Sequence, residues 1–203
     1  MSWDERFDTE EYVYGEQPNE FLRSQRHLLS DGMQALAIAE GEGRNAVWLA
    51  EQGLDVEMWD YSRVGLEKAE RLALRRGVSL TTHLVDLAIA DWPAESFDVI
   101  VCIFGHFPKD VQTAVLKGVT RALRPGGFFM TEVYSEAQLE FGTGGPKDKA
   151  LLYTTDAFSV LSDSLETRHF FDGIVERQEG RLHQGPSAVI QYVGQKRAES
   201  RDM

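Results

Sequence analysis

Two glycines and an aspartate form the pattern in this sequence that is best suited to bind a ligand. Gly41 and Gly43 follow the apolar segment 33–39, and a second apolar segment ends on Asp60. Glycine lets the backbone approach a bound molecule where a Cβ would collide. A helix that begins in such a turn directs free backbone N–H groups toward that molecule. Asp60, seventeen residues after Gly43, is placed where a carboxylate can bind both hydroxyls of a ribose.

A second acidic residue extends the same pattern. Asp86 follows the segment 78–85, and together with Leu87 it would meet the edge and the face of an adenine. This order of strands, glycines, helix and acidic residues is typical of the nucleoside-binding end of an open α/β sheet. The Gly-x-Gly-x-x-Gly motif of dinucleotide-binding proteins is incomplete, because Ala46 stands three residues after Gly43. A nicotinamide-dependent reductase is therefore a less favoured alternative.

The elements that position these residues alternate between strand and helix as far as residue 133. Apolar periodicity and turn residues predict strands at 33–39, 54–60, 78–85, 97–104 and 128–133. Predicted helices lie between them at 44–52, from Ser62 to Gly77, and at 109–123, and a turn is predicted at 124–127. A short helix is predicted at 155–161. Residues 166–178 and 187–196 then form an antiparallel pair. We predict a Rossmann-like, doubly wound, mostly parallel sheet of seven strands, with an antiparallel C-terminal hairpin and helices on both faces.

Length and composition limit how many domains the chain can form. The chain has 203 residues, of which 42% are hydrophobic, which suffices for one well-buried domain. We predict that residues 1–32 form a helical appendage, or lid, over the ligand edge and that residues 33–198 form the binding domain. Asn19 is expected to cap a helix within the appendage.

Net charge and cysteine count limit which binding partners and which cellular compartment are expected. The net charge of −12 disfavours nucleic acid and anionic membranes, so we expect a small-molecule substrate and leave the oligomeric state open. The single cysteine, Cys102, cannot form an internal disulfide, and no targeting or membrane-spanning segment is evident. We therefore expect a cytoplasmic protein. We expect no metal site, because metal-ligand spacing is absent among His27, His83, His169 and His183.

Further motifs give the chain a likeness to one protein family, and the resemblance as a whole runs from about Trp3 to Lys196. They are Arg44-Asn45-Ala46, Trp59-Asp60, Phe97-Asp98, Arg124-Pro-Gly-Gly127, Trp3-Asp-Glu-Arg-Phe7, Tyr14-Gly15 and Phe141-Gly-Thr-Gly-Gly-Pro-Lys-Asp148. With the glycine turn, they resemble class I S-adenosylmethionine-dependent methyltransferases. The closer similarity is to the TehB-like (tellurite resistance) and thiopurine-methyltransferase-like branch.

This resemblance implies S-adenosylmethionine as cofactor and assigns its contacts. From the methionine end to the adenine end, the implied contacts are Glu40, Gly41 and Gly43, Arg44 and Asn45 at the helix start, Asp60 at the ribose, Tyr61 beside the adenine, and Asp86 with Leu87 on the base. Phe104 and the loop 105–108 are expected under the sulfonium.

The resemblance says less about which molecule accepts the methyl group. The resemblance favours a metalloid oxyanion or a thiol, and a thiolate or soft anion needs no general base. A hydroxyl or amine acceptor would need one, and His106 is the best-placed candidate. The alternative is that His106 is a strand-end histidine bonded to backbone.

Two alanines depart from the pattern of the family. Ala37 stands where the first strand usually carries an acidic residue, and Ala39 stands at the first motif glycine. Glu40 or Glu42 is a candidate to replace the missing carboxylate. The departure keeps open the alternative of a non-catalytic or weakly active protein that binds S-adenosylmethionine or S-adenosylhomocysteine.

Overall fold

Seven strands form one sheet in the computed structural model, which describes residues 2–198. In chain order they are β1 (Gln34–Ile38), β2 (Asp55–Asp60), β3 (Thr81–Leu84), β4 (Phe97–Ile103), β5 (Leu123–Tyr134), β6 (Leu165–Glu179) and β7 (His183–Lys196). Their order across the sheet is β3-β2-β1-β4-β5-β7-β6. The first five are parallel, and β7 runs antiparallel to β5 and β6. The predicted fold class is confirmed.

Five α-helices accompany the sheet: α1 (Trp3–Phe7), α2 (Glu20–Ser24), α3 (Arg44–Glu51), α4 (Arg63–Arg76) and α5 (Lys109–Ala122). The predicted caps are present. The Ser62 hydroxyl accepts a hydrogen bond from Gly65 N at 3.0 Å, and Gly77 ends α4 with a φ of 72°. The Asn19 side chain accepts from Leu22 N at the start of α2.

The structure corrects three predicted boundaries. The turn predicted at 124–127 lies within β5, where the register against β4 shifts between Phe97 and Val99 and Gly126 has a φ of 82°. The third strand is shorter than predicted, because only Thr81–Leu84 pair with β2. The C-terminal strands are longer, since their pairing continues to Glu179 and His183. The predicted helix at 155–161 is a 3₁₀-helix.

The core lies on both faces of the sheet. Leu36 and Ile38 of β1 belong to a cluster shared with α5, whereas Ala35 and Ala37 belong to a cluster shared with α3 and α4. Alternate residues of a strand point to opposite faces, so both faces of the sheet are covered by helices. Cys102 is buried on the α5 side, and burial raises the pKa of its thiol to about 12. It is therefore an unreactive thiol.

The N-terminal residues lie over the carboxyl edge of the sheet. Asp4 Oδ1 accepts a hydrogen bond from the Ser62 hydroxyl at 2.5 Å, at the start of α4. Lys68 Nζ forms a buried ion pair with Glu42 at 2.5 Å and donates to the carbonyl oxygens of Phe7, Thr9 and Glu11. These contacts join the N-terminal segment to α4 and to the glycine turn. Its action as a lid stays a prediction.

Two kinds of feature are absent from the described residues. No helix among residues 2–198 combines the length and the apolar character needed to cross a bilayer. Within the same residues, histidine, cysteine and acidic side chains form no group that could hold a metal ion.

Candidate functional site

The glycine turn and Asp60 lie together at the carboxyl ends of β1 and β2. Asp60 Oδ2 accepts a hydrogen bond from Gly41 N at 2.7 Å, and Oδ1 accepts from Ser62 N at 2.8 Å. The side chain is only 8% exposed, and burial raises the pKa of its carboxyl, although the backbone donors partly offset this effect. The spacing of glycine and aspartate therefore does bring a backbone turn and a buried carboxylate into contact.

The two glycines meet different requirements. A Cβ on Gly43, which has a φ of 86°, would lie 2.3 Å from the Cβ of Ala69 in α4. Gly43 is therefore required for the close packing of α3 on α4. A Cβ on Gly41 would lie 3.0 Å from the Phe7 ring, so Phe7 covers the outer side of the turn.

Glu40 caps α3 from within the turn. Its Oε1 accepts hydrogen bonds from Asn45 N at 2.7 Å and Ala46 N at 2.9 Å. Burial raises the pKa of this carboxyl to about 7. Two helix N–H groups that we expected to face a ligand are thus bonded to Glu40, whose second oxygen has only a 3.4 Å contact from Asn45 Nδ2.

Arg44 and Asn45 connect the turn to other elements. Arg44 forms an ion pair with Glu179 of β6 at 2.7 Å, and both side chains are buried. Asn45 Oδ1 accepts a hydrogen bond from Asn19 N at 2.8 Å. Their predicted contact with a cofactor stays a prediction.

A buried polar network behind the turn was not predicted from the sequence. Arg177 of β6 contacts Glu132 of β5 at 2.5 Å and Glu179 at 2.6 Å. Asn19 Nδ2 donates to Glu132 at 2.8 Å and to Glu179 at 3.1 Å. The available signal was Glu132 itself, a carboxylate in an otherwise apolar predicted strand. Such a residue is almost always paired when it is buried.

This network predicts a specific acid sensitivity. Burial by itself raises the pKa of Glu179, but the charges of Arg44 and Arg177 overcome it and lower the pKa from 4.5 to about 2. A lowered folded-state pKa stabilises the fold above pH 4.5, and the contribution disappears as the pH falls toward 2. It amounts to about 3 kcal/mol across this window.

We expect the free energy of unfolding in urea to fall less steeply between pH 5 and pH 3 in Glu179→Gln than in the wild type. Glu166→Gln is the matched control, because Glu166 lies on the same strand with a side chain that is 52% exposed. Equal pH slopes for all three proteins would contradict the assignment.

The residues after β4 form an aromatic surface beside the turn. Phe104 has a φ of 55° and stacks on Tyr134 with ring centroids 4.7 Å apart. His106 Nδ1 lies 3.0 Å from Leu151 O, and its Nε2 accepts from Tyr134 N at 3.3 Å. Burial lowers the pKa of His106 to about 4. With both ring nitrogens bonded to backbone, His106 would have to exchange a partner before it could act as a base.

The predicted adenine contacts differ in exposure. Tyr61 is 68% exposed directly after β2, whereas Leu87 is buried in the core. Asp86 is exposed, and its Oδ1 accepts from Ala88 N at 2.9 Å. The structure places Asp86 near Asp60 through Val85, whose N donates to Asp60 O at 2.9 Å.

The two alanines that differ from the family pattern occupy different environments. Ala37 is fully buried in the core, and Ala39 is held at a φ of 50° directly before Glu40. A left-handed φ at alanine costs about 1–2 kcal/mol, a strain that glycine at this position would avoid. Because Glu42 is paired with Lys68, Glu40 is the carboxylate in the turn that can replace an acidic residue at position 37.

Comparisons with known proteins agree with this geometry. A family model described as a methyltransferase domain matches residues 35–127. A ubiquinone biosynthesis O-methyltransferase from Idiomarina loihiensis is 31% identical over 105 residues, which are 49% of this chain and 42% of that relative. This chain therefore spans less than half of the length of that relative.

Solved structures share the fold. TehB from Haemophilus influenzae superimposes with a TM-score of 0.71 at 14% identity, over 96% of this chain and 66% of that chain. A TehB-like S-adenosylmethionine-dependent methyltransferase from Corynebacterium glutamicum has a TM-score of 0.62 at 20% identity, over 88% and 89%. At these identities the likeness extends to the fold alone.

Proposed function

We propose that this chain is a class I S-adenosylmethionine-dependent methyltransferase that transfers a methyl group from S-adenosylmethionine to a small-molecule acceptor. The observation that carries the proposal is the 2.7 Å contact between Gly41 N and Asp60 at the carboxyl edge of the sheet. It combines a backbone that can approach a ligand with a buried carboxylate that can bind ribose hydroxyls.

The residues of the turn fit the cofactor. The carboxylate of Asp60 is desolvated and has acceptor capacity beyond its backbone donors, so ribose hydroxyls would complement it. Glu40, with a pKa raised by burial to about 7, would gain a partner from the ammonium group of the cofactor. Of the other predicted contacts, Tyr61, Asp86 and Leu87 would meet the adenine.

The cofactor supplies a methyl group already activated by a sulfonium. The work of the protein is then to align the acceptor and exclude water, and positioning alone can contribute about 7–11 kcal/mol. Phe104 and Tyr134 offer an aromatic surface for this purpose. We propose that the segment 1–32 closes the ligand edge of the domain 33–198 and that the enzyme works in the cytoplasm.

Two observations bear on the identity of the methyl acceptor. The sequence resemblance favours a metalloid oxyanion or a thiol, and the curated relative carries the name of an O-methyltransferase. Nucleic acid is disfavoured by the net charge of −12.

A non-catalytic cofactor-binding protein is the second candidate. It is favoured by His106, whose two ring nitrogens are bonded to backbone, and by Ala37 in place of a carboxylate. This candidate shares the cofactor with the first and differs from it only in turnover.

Calorimetric titration with S-adenosylmethionine, S-adenosylhomocysteine and NADH tests the proposal. We expect stoichiometric binding of the first two ligands and none of NADH, together with S-adenosylhomocysteine formation in the presence of a small acceptor. Binding of NADH alone would reject the methyltransferase. Binding without turnover across an acceptor panel of thiols, phenols and oxyanions would favour the second candidate.

A further inference from the structure

Four aromatic side chains meet beyond the carboxyl end of β4, and we refer to them as the aromatic cluster: Tyr14, Phe104, Tyr134 and His183. The His183 ring centroid lies 4.5 Å from that of Phe104, 4.8 Å from that of Tyr14 and 5.5 Å from that of Tyr134. The N-terminal segment, β4, β5 and β7 therefore converge on one imidazole.

Two polar atoms of this cluster are buried without a hydrogen-bond partner. They are His183 Nδ1, on a residue 5% exposed, and Tyr134 Oη, on a residue with no exposed surface. The hydroxyl of Ser187 influences the pKa of Tyr134 but does not reach hydrogen-bond geometry with it. Leaving such a group unpaired costs about 1–3 kcal/mol, so two unpartnered atoms in one cluster indicate a binding function.

We propose that the aromatic cluster is the acceptor subsite and that it binds an uncharged aromatic hydroxyl, with Tyr134 Oη and His183 Nδ1 as the partners of that hydroxyl. The inference rests on the proposed methyltransferase function and names its substrate class. The rings of Tyr14, Phe104 and Tyr134 surround His183 with apolar surface that suits an aromatic molecule. A hydroxyl both donates and accepts hydrogen bonds, whereas a thiol does so only weakly.

The charges around the cluster disfavour an oxyanion. Arg177 lies over the Phe104 ring at 5.4 Å, but its guanidinium is paired with Glu132 and Glu179. Arg44 is likewise paired with Glu179. Burial and then the charge of Arg44 lower the pKa of His183 to about 3, so the imidazole is neutral at physiological pH. The guanidinium groups of Arg44 and Arg177 are balanced by the carboxylates of Glu132 and Glu179, so neither of these two cations is available to an anionic substrate.

A glycine loop covers the cluster. A Cβ on Gly144 would lie 2.9 Å from Tyr134 Oη and 3.1 Å from the His183 ring, and one on Gly145 would lie 2.7 Å from the Tyr134 ring. The side chain of Gln138 bonds to Thr143 Oγ1 and to Gly144 O, both at 3.0 Å. The motif at 141–148 thus serves as a cover that approaches the subsite with backbone alone.

The proton balance of the reaction assigns a role to His183. Methylation forms a bond between the acceptor oxygen and the methyl carbon, while the carbon–sulfur bond breaks and its electron pair stays on sulfur. The hydroxyl proton passes to the lone pair of His183 Nδ1 and then to solvent. Unlike His106, His183 has a ring nitrogen free to accept it.

The test uses the complex with S-adenosylhomocysteine and two probes, phenol and selenite. We expect phenol to shift the imidazole ¹⁵N signals of His183 and to bind about tenfold more weakly to Tyr134→Phe and to His183→Phe. Selenite should leave the signals unchanged. Tyr192→Phe is the matched control, because Tyr192 is a buried tyrosine in the core away from the cluster.

The readouts separate the two proposals. Unchanged affinity for S-adenosylhomocysteine in the Tyr134 and His183 variants shows that the fold and the cofactor site are intact. If the cofactor product binds but phenol leaves the His183 signals unchanged, or if selenite displaces phenol, the acceptor assignment is wrong and the methyltransferase assignment stands. Failure of the wild type to bind S-adenosylhomocysteine would reject both.

Discussion

Replacing Asp60 with alanine is expected to lower the affinity for S-adenosylhomocysteine at least about tenfold. In the proposed complex the carboxylate accepts hydrogen bonds from both ribose hydroxyls. Hydrogen bonds to a charged group contribute about 1.5–3 kcal/mol each, and 1.4 kcal/mol corresponds to a tenfold change in affinity. Isothermal titration calorimetry of the two proteins measures the difference directly.

A structural role for Asp60 must be separated from ribose binding, because the carboxylate also accepts from Gly41 N and Ser62 N. Titration with adenosine and with 2′,3′-dideoxyadenosine makes this separation. The wild type should prefer adenosine, and the Asp60→Ala protein should bind both nucleosides equally. If the variant keeps the preference for adenosine, Asp60 does not bind the ribose. Asp55→Ala, a change of an exposed residue at the other end of β2, should leave all affinities unchanged.

Local signals predicted the elements that carry the glycine turn. Ser62 and Gly77 delimit α4 because a hydroxyl cap and a left-handed glycine act within one turn of the helix. The predicted turn at 124–127 lies inside β5 instead of between two elements. Leu123 pairs with Phe97 and Phe128 pairs with Val99, so residues 124–127 bulge out of the ladder around Gly126, whose φ is 82°. Long-range pairing on both sides of this bulge joins segments that the local turn signal had separated.

The sequence predicted that the glycine turn and Asp60 lie together, but it did not predict the buried polar network behind them. Gly41 lies in the turn after β1, and Asp60 ends the adjacent parallel strand β2, 19 positions later. The alternation of strands and helices brings such strand ends together. The contact of Arg177 with Glu132 depends on the register of the C-terminal hairpin, which composition does not specify. Similarly, the sequence placed Glu40 in the turn but could not show that it caps α3.

Gly43→Ala is expected to be the most destabilising of the substitutions considered, because it combines two costs. Alanine at a φ of 86° is strained by about 1–2 kcal/mol. Its Cβ would also lie 2.3 Å from the Cβ of Ala69, and overpacking a core typically costs about 1–3 kcal/mol. We expect a loss of about 3–4 kcal/mol in the free energy of unfolding, measured by urea denaturation.

Gly77→Ala separates the two costs. Gly77 has a similar φ of 72°, but a Cβ there would meet no atom within 4 Å, so this variant should lose only about 1–2 kcal/mol. The double variant Gly43→Ala with Ala69→Gly removes the Cβ that the new methyl group would meet at 2.3 Å and keeps the Ala69 Cα, which is 2.9 Å away. It should therefore lose less stability than the two single changes together, by about 1 kcal/mol. Equal losses in Gly43→Ala and Gly77→Ala would show that Gly43 is needed for its backbone conformation alone. The close packing of α3 on α4 would then not be what requires glycine at the turn.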